Sequence, residues 1–318
     1  MKSENLPSLK DIEGAAKRIA GIACRTPLVE SPVLSRMTGL EVFLKLECFQ
    51  PIKVFKIRGA YNKISQVTER GVVAASSGNH GIAVAYSSRL LGKKCTVVVP
   101  ETVIREKLDT IEEYGADVVK AGRFSDQREA KAREIATGNG AAFIHPFNDP
   151  DVIAGQGTCG LEIAGQLSQF DCVLVPVGGG GLISGISTAL KALRPEAKVY
   201  GVEPLGAPKL TAALQAKKVV HVPSPVSVAD GLVPSALGDL TFGICSRNVD
   251  GAFTVSEEDI LRATRAMVRE ARIIAEPSGA AALAPLLSAE SERFGKRAVV
   301  VVSGGNISQD LLARTLAS

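Results

Sequence analysis

Short apolar runs rich in β-branched residues alternate along this chain with longer segments of helical period. The runs fall at 41–46, 71–75, 95–99, 117–119 and 142–145, and again at 171–177, 198–202, 252–255 and 298–302. Segments with apolar residues at helical spacing lie at 81–91, 106–114, 126–136, 151–166, 182–193, 257–270, 278–287 and 308–317. Runs that are apolar throughout, rather than alternating with polar residues, belong to strands covered on both faces. Their alternation with helices predicts an α/β fold of mostly parallel sheets flanked by helices. In such sheets ligands bind at the carboxyl ends of the strands. Unusual chemistry is therefore expected just after each run.

Composition narrows the class. The 318 residues are 46% hydrophobic and 22% charged, a globular balance that excludes disorder. The 37 basic and 33 acidic residues leave a net charge of +4. With no basic run, that surplus is no nucleic-acid footprint. Aromatics make up 4% and Trp is absent, which argues against a base-stacking platform. Six cysteines form no CxxC pair and the three histidines are scattered, so neither a zinc site nor a disulfide scaffold is expected. The first residues lack the apolar core of a signal peptide. The uncharged stretch 172–190 contains a proline and four consecutive glycines, which reads as strand–loop–helix rather than a membrane span. A reduced, cytoplasmic protein with no nucleic-acid or membrane partner is expected.

Three loops after predicted strands carry candidate chemistry. The first is Gly178, Gly179, Gly180 and Gly181, between a buried run and a helix. Bare amides feeding a helix N-terminus form an anion cradle suited to phosphate, although close backbone packing could also call for glycine. The second is Ser76-Ser77-Gly78-Asn79-His80-Gly81, whose Ser and Asn could serve an anion or merely cap a helix. The third is Ser303-Gly304-Gly305-Asn306, which taken alone is a turn. Upstream, Lys56 lies between Phe55 and Ile57. An apolar setting lowers an amine pKa and suits Schiff-base chemistry, whereas an isolated lysine is ordinarily a solvated surface residue.

The ordered set Phe55-Lys56-Ile57-Arg58-Gly59-Ala60, Ser76–Gly81, Gly178–Gly181 and Ser303–Asn306 resembles the serine/threonine dehydratase branch of the pyridoxal-phosphate enzymes that share the tryptophan-synthase-β fold, fold type II. Arg25-Thr26-Pro27-Leu28, the segment 153–158 and Glu276-Pro277-Ser278-Gly279-Ala280 fit as well. The resemblance implies two lobes with the cofactor between them. A small lobe, 53–146, would bear the Schiff-base lysine and the substrate-carboxylate loop; 1–52 and 147–318 would form the large, cofactor-binding lobe. Lys56 would hold pyridoxal 5'-phosphate, Phe55 would lie near its ring, and Gly178, Gly179, Gly180 and Gly181 would bind its phosphate. Asn79 would contact the ring hydroxyl and Ser303 the pyridine nitrogen. Ser76, Ser77, Asn79 and His80 would receive the substrate carboxylate, helped by Arg128. Ser77 also matches the position from which related racemases use a base on the opposite face.

The implied reaction is elimination of water from L-threonine or L-serine, giving a 2-oxo acid and ammonia, with Lys56 taking the Cα proton. Alternatives are a serine racemase and a dehydratase of 3-hydroxyaspartate or another β-hydroxy amino acid. Outside enzymes, a nucleotide-binding regulatory protein could use the glycine loop. A homo-oligomer, dimer or tetramer, is expected. Because the chain ends soon after Asn306, no feedback domain and no isoleucine inhibition through one are expected. Two positions depart from the family pattern. Val54 stands where many relatives carry Ser. Glu203-Pro204-Leu205-Gly206-Ala207-Pro208-Lys209 puts Lys209 where a divalent-cation site would have an acid. A hard cation needs oxygen ligands, so no metal is expected; Lys209 is expected either to pair with Glu203 in its place or to be exposed.

Overall fold

A computed structural model describes residues 6–317 except 77, 104, 123–124 and 289–290. Ten strands form two sheets: β1 (Leu28–Glu30), β2 (Glu41–Leu46), β3 (Gly71–Ala75), β4 (Lys94–Val99), β5 (Asp117–Lys120), β6 (Ala142–Phe143), β7 (Cys172–Pro176), β8 (Lys198–Pro204), β9 (Gly251–Val255) and β10 (Arg297–Val302). The larger sheet runs β1-β2-β10-β7-β8-β9 and the smaller β5-β4-β3-β6. Among the described residues all pairings between these strands are parallel except β1 against β2.

The central strands are valine-rich because both faces are covered; every residue of β7 is buried. Alternate side chains of β10 serve different cores. Val300 and Val302 join Leu44, Leu174 and Leu283 on one face, while Val299 and Val301 join Val173, Ile183 and Ile186 on the other. Val72, Ala74, Val97 and Val99 of the small sheet pack with Ile57, Ile64 and Ile82. Pairing in register, Glu41 to Arg297 through Leu46 to Val302, brings the ends of β2 and β10 level. The loops after β2, β10 and β7 are therefore neighbours.

Several elements differ from the sequence pattern. β1 is an additional, antiparallel edge strand of three residues. β6 stops at Phe143 rather than 145, because His145 turns back on its own backbone. The helix expected over 257–270 is α-helical over Glu257–Arg265 and then widens to a π-helix over Ala266–Glu270. The segment 278–287 becomes a short α-helix, Pro277–Ala280, and a 3-10 helix, Ala281–Leu287. Pro285 inside it has no N–H to sustain an α-helical ladder.

Candidate active site

Lys56 opens the helix Lys56–Ile64. Its Nζ donates to the carbonyl of Pro146 at 2.8 Å and stands 5.2 Å from the Phe55 ring centroid. Although part of the side chain still faces solvent, the protein packed around the amine lowers its pKa to about 8. The carbonyl that receives this amine is fixed by His145. The backbone amides of Phe147 and Asn148 donate to His145 Nδ1 at 3.2 and 2.8 Å. Nδ1 is therefore bare and the ring's proton is on Nε2. Burial pushes the His145 pKa down to about 4, with Glu129 opposing.

The same turn reaches the glycine loop. A Cβ on Gly179 would collide with the Phe147 ring, and Gly180, at φ 91°, adopts a left-handed conformation that L side chains avoid. Gly180 is the N-cap of the helix Gly181–Leu193 and supplies no side-chain cap, so the first amides remain available to a ligand. Thr241 Oγ1 donates to the Gly179 carbonyl at 2.8 Å and steadies the loop.

Across from it, β3 ends at Ala75 and the helix Asn79–Leu90 begins after Gly78. Asn79 is oriented from both ends of its amide. Nδ2 donates to Glu276 Oε1 and Oδ1 accepts from Asn306 Nδ2, each at 2.7 Å. His80 is 4% exposed, and its Nε2 donates to the Ile144 carbonyl at 2.9 Å. Burial, aided by the Lys56 charge, lowers its pKa to about 3, so the ring is neutral and already committed. Ser76 Oγ accepts from the Gly78 amide at 3.2 Å. Ser303 is buried; its carbonyl accepts the Phe55 amide at 3.1 Å and its Oγ lies 3.5 Å from the Ser278 carbonyl. Gly305 N donates to Lys53 O at 2.8 Å, completing the seam between the β10 loop and the lysine segment.

Phe55, Lys56, Asn79, Ser303 and the four glycines are thus joined by short chains of contacts. Arg128 is partly buried on the separate helix Ser125–Gly138, where burial lowers its pKa against the opposing charge of Asp126. Ser77 lies outside the described residues.

Sequence reasoning missed the cluster behind Lys56. Arg58 is fully buried; its Nε and Nη2 grip Glu47 at 2.7 and 2.8 Å, and Nη1 and Nη2 reach Glu162 at 2.7 and 2.9 Å. Lys45, also buried, meets Glu162 at 2.5 Å. Burial alone would discourage the Arg58 charge, but Glu47 and Glu162 hold its pKa well above the ordinary value. Burial would likewise raise Glu47, and Arg58 reverses it to a net lowering. His145, Glu276 and Asn306 were missed as positioning groups as well. Glu162 lies 104 residues from Arg58 in sequence, whereas Arg58, two residues after Lys56, was the available signal.

The bare amides of the glycine loop and the dry amine of Lys56, bridged by residues 145–148, suit a ligand bearing a phosphate and an aldehyde. A family model described as pyridoxal-phosphate dependent enzyme matches residues 19–304. The L-threonine ammonia-lyase of Thermotoga maritima is 42% identical over 313 residues, covering 97% of this chain and 78% of that protein. The L-threo-3-hydroxyaspartate ammonia-lyase of Saccharomyces cerevisiae is 35% identical over 306 residues, covering 95% and 94%. The structure of maize serine racemase matches with a TM-score of 0.93 at 35% identity, over 98% of this chain and 97% of that one. The chain belongs to the pyridoxal-phosphate-dependent ammonia-lyase and racemase family of fold type II, and pyridoxal phosphate is its cofactor.

Five of the six cysteines are buried, with Cys24 exposed. Among the described residues no group of His, Cys, Asp and Glu is placed to hold a metal ion. No described helix is long and apolar enough to cross a membrane.

Proposed function

We propose that this enzyme is a threonine/serine dehydratase, converting L-threonine to 2-oxobutanoate, or L-serine to pyruvate, with release of ammonia. The observation that carries this preference is the state of charge around Lys56. His80 and His145 have pKa values of about 3 and 4, so both are neutral at pH 7, and Arg58 is spent on Glu47 and Glu162. A substrate with a second carboxylate needs an additional cation beside it; a β-methyl group or hydrogen needs none. The 42% identical Thermotoga maritima L-threonine ammonia-lyase supports the same reading.

Pyridoxal phosphate, when bound, supplies an electron sink for the charge that develops at Cα. Lys56 would hold it through Nζ, and the amides of Gly178, Gly179, Gly180 and Gly181 would hold its phosphate at a helix N-terminus. Phe55 would flank the ring, Asn79 would face its hydroxyl, and Ser303 its nitrogen. A serine there does not keep that nitrogen protonated as a carboxylate would. Ser303 would suffice there because the β-hydroxyl, protonated as it leaves as water, would carry off the electron pair. Displaced by substrate, the Lys56 amine, with its pKa near 8, is a base close to working pH and removes the Cα proton. The substrate carboxylate would sit in the loop Ser76–His80, with Arg128 as counter-ion. His80 would contribute its backbone amide, because its ring is engaged by Ile144. Ser77 is assigned the opposite face from the resemblance alone. Residues 53–146 would act as the small lobe.

A substrate panel tests the proposal. L-threonine or L-serine should give 2-oxo acid and ammonia with kcat/KM at least about tenfold above L-threo-3-hydroxyaspartate. A higher value for hydroxyaspartate, or conversion of L- to D-serine faster than elimination, would overturn it.

A further inference from the structure

Lys209 is a fully buried charge that the reaction does not use. It opens the helix Lys209–Ala216, just after β8. Its Nζ is surrounded by three oxygens: Glu203 Oε2 at 3.3 Å, the Ala207 carbonyl at 2.9 Å and the Leu232 carbonyl at 2.9 Å. An ammonium has three N–H donors and no acceptor, so the three oxygens match its hydrogens one for one. Glu203, equally buried, is satisfied from its other side. Its Oε2 accepts from the Leu210 amide at 2.9 Å and its Oε1 from the Thr211 amide at 2.7 Å. A carboxylate and two carbonyls converging in a dry pocket are the donor set of a hard cation. Here the lysine's own charge fills it. A divalent ion would have to share the pocket with a fixed positive charge, so this chain's residues do not fit the metal that the family pattern implies.

The pocket also backs the glycine loop. Leu232 follows Gly231, whose carbonyl oxygen would lie only 2.7 Å from a Cβ on Gly178, and the Gly231 amide donates to Ser278 Oγ at 3.0 Å. The oxygen that Lys209 holds therefore belongs to the turn supporting the phosphate cradle.

We propose that the Lys209 ammonium is a built-in structural cation, which makes this enzyme independent of divalent metal where the same pocket with a carboxylate at position 209 would bind one. The proposal does not depend on which amino acid the enzyme takes. The test uses the full-length holoenzyme at constant ionic strength, in chelator and then in MgCl2, CaCl2 or MnCl2. The natural protein should show the same melting temperature throughout and no saturable cation binding by calorimetry. Lys209→Asp should bind one divalent ion per chain and gain more than about 3 °C in melting temperature with it. Lys209→Met should melt lower than the natural protein and gain nothing from divalent ions. A saturable rise in the natural protein's melting temperature with any of the three ions would overturn the proposal. So would a Lys209→Met protein as stable as the natural one, or a folded Lys209→Asp protein that binds no cation. If Lys209→Asp does not fold, the other two proteins decide the question.

Discussion

Lys56 and Arg58 sit two residues apart on one helix and are both packed into protein, yet their surroundings drive them in opposite directions. Arg58 has two carboxylates, a threonine hydroxyl and a carbonyl within 3.1 Å, and its charge is locked on. Lys56 has one neutral carbonyl partner at 2.8 Å and, among the described residues, no carboxylate paired with it, and its amine is brought down to about 8. Burial is common to both; the countercharge is what differs. A cation with a partner serves architecture, whereas one without is poised to gain and lose a proton.

Substitutions should separate these two roles. The largest effect on turnover belongs to Lys56→Met, which should lower kcat by at least about 10³-fold, the scale of a lost general base. Its apoenzyme should remain as resistant to denaturant as the natural apoprotein. Arg58→Met should do the reverse. By stranding Glu47 in a dry interior it should cost about 3–5 kcal/mol in chemical denaturation. Adding Glu47→Gln to Arg58→Met should recover part of that loss. No recovery would mean that shape, not charge, matters at Arg58.

The pH dependence is smaller and has a definite sign. His80 has a folded pKa of about 3 against an ordinary value of 6.5, so below pH 6.5 the unfolded chain binds the extra proton. Stability should fall as pH drops from 6.5 towards 3, by at most about 1.4 kcal/mol per unit from this group. A His80→Gln variant should flatten that slope in urea titrations. Capture of pyridoxal phosphate by the apoenzyme should accelerate through pH 8, where Lys56 loses its proton, rather than near 10.5. Asn306→Ala, which frees one end of the Asn79 amide, should raise KM by about tenfold with little change in melting temperature. At the bottom of the scale, Arg262→Ala removes an exposed pair with Asp259 and should change stability by less than about 0.5 kcal/mol.

Much of this was readable from the chain. The buried strands announced themselves because a run such as 298–302, covered on both faces, leaves no place for polar residues. The loops that follow them were found by the same logic, and Lys56 by its apolar neighbours. β1 escaped because three residues, two of them exposed, form no pattern. The Arg58 cluster escaped because Glu47, Lys45 and Glu162 become partners only once β2 and the helix Pro150–Gln166 are packed against the lysine helix. The His145 turn was invisible for a similar reason. Nothing in His-Pro-Phe-Asn says that the ring will accept two amides from its own loop. For Lys209 the sequence left pairing with Glu203 and exposure both open; the fold has the pair, and the Leu232 carbonyl that completes it comes from 23 residues away.

The helix Lys56–Ile64 has one more property, a mechanical one. Ile57, Ala60 and Ile64 are sunk in the core of the small sheet. On its polar side Arg58 is riveted to Glu47 and Glu162, Asn62 donates to the Asp151 carbonyl at 2.7 Å, and Lys63 reaches Asp149 and Asp151. The helix is therefore a tie-bar: its apolar side is fixed in the core of the small sheet and its polar side to Glu47 and to the helix Pro150–Gln166, so the amine at its first residue is anchored from both directions.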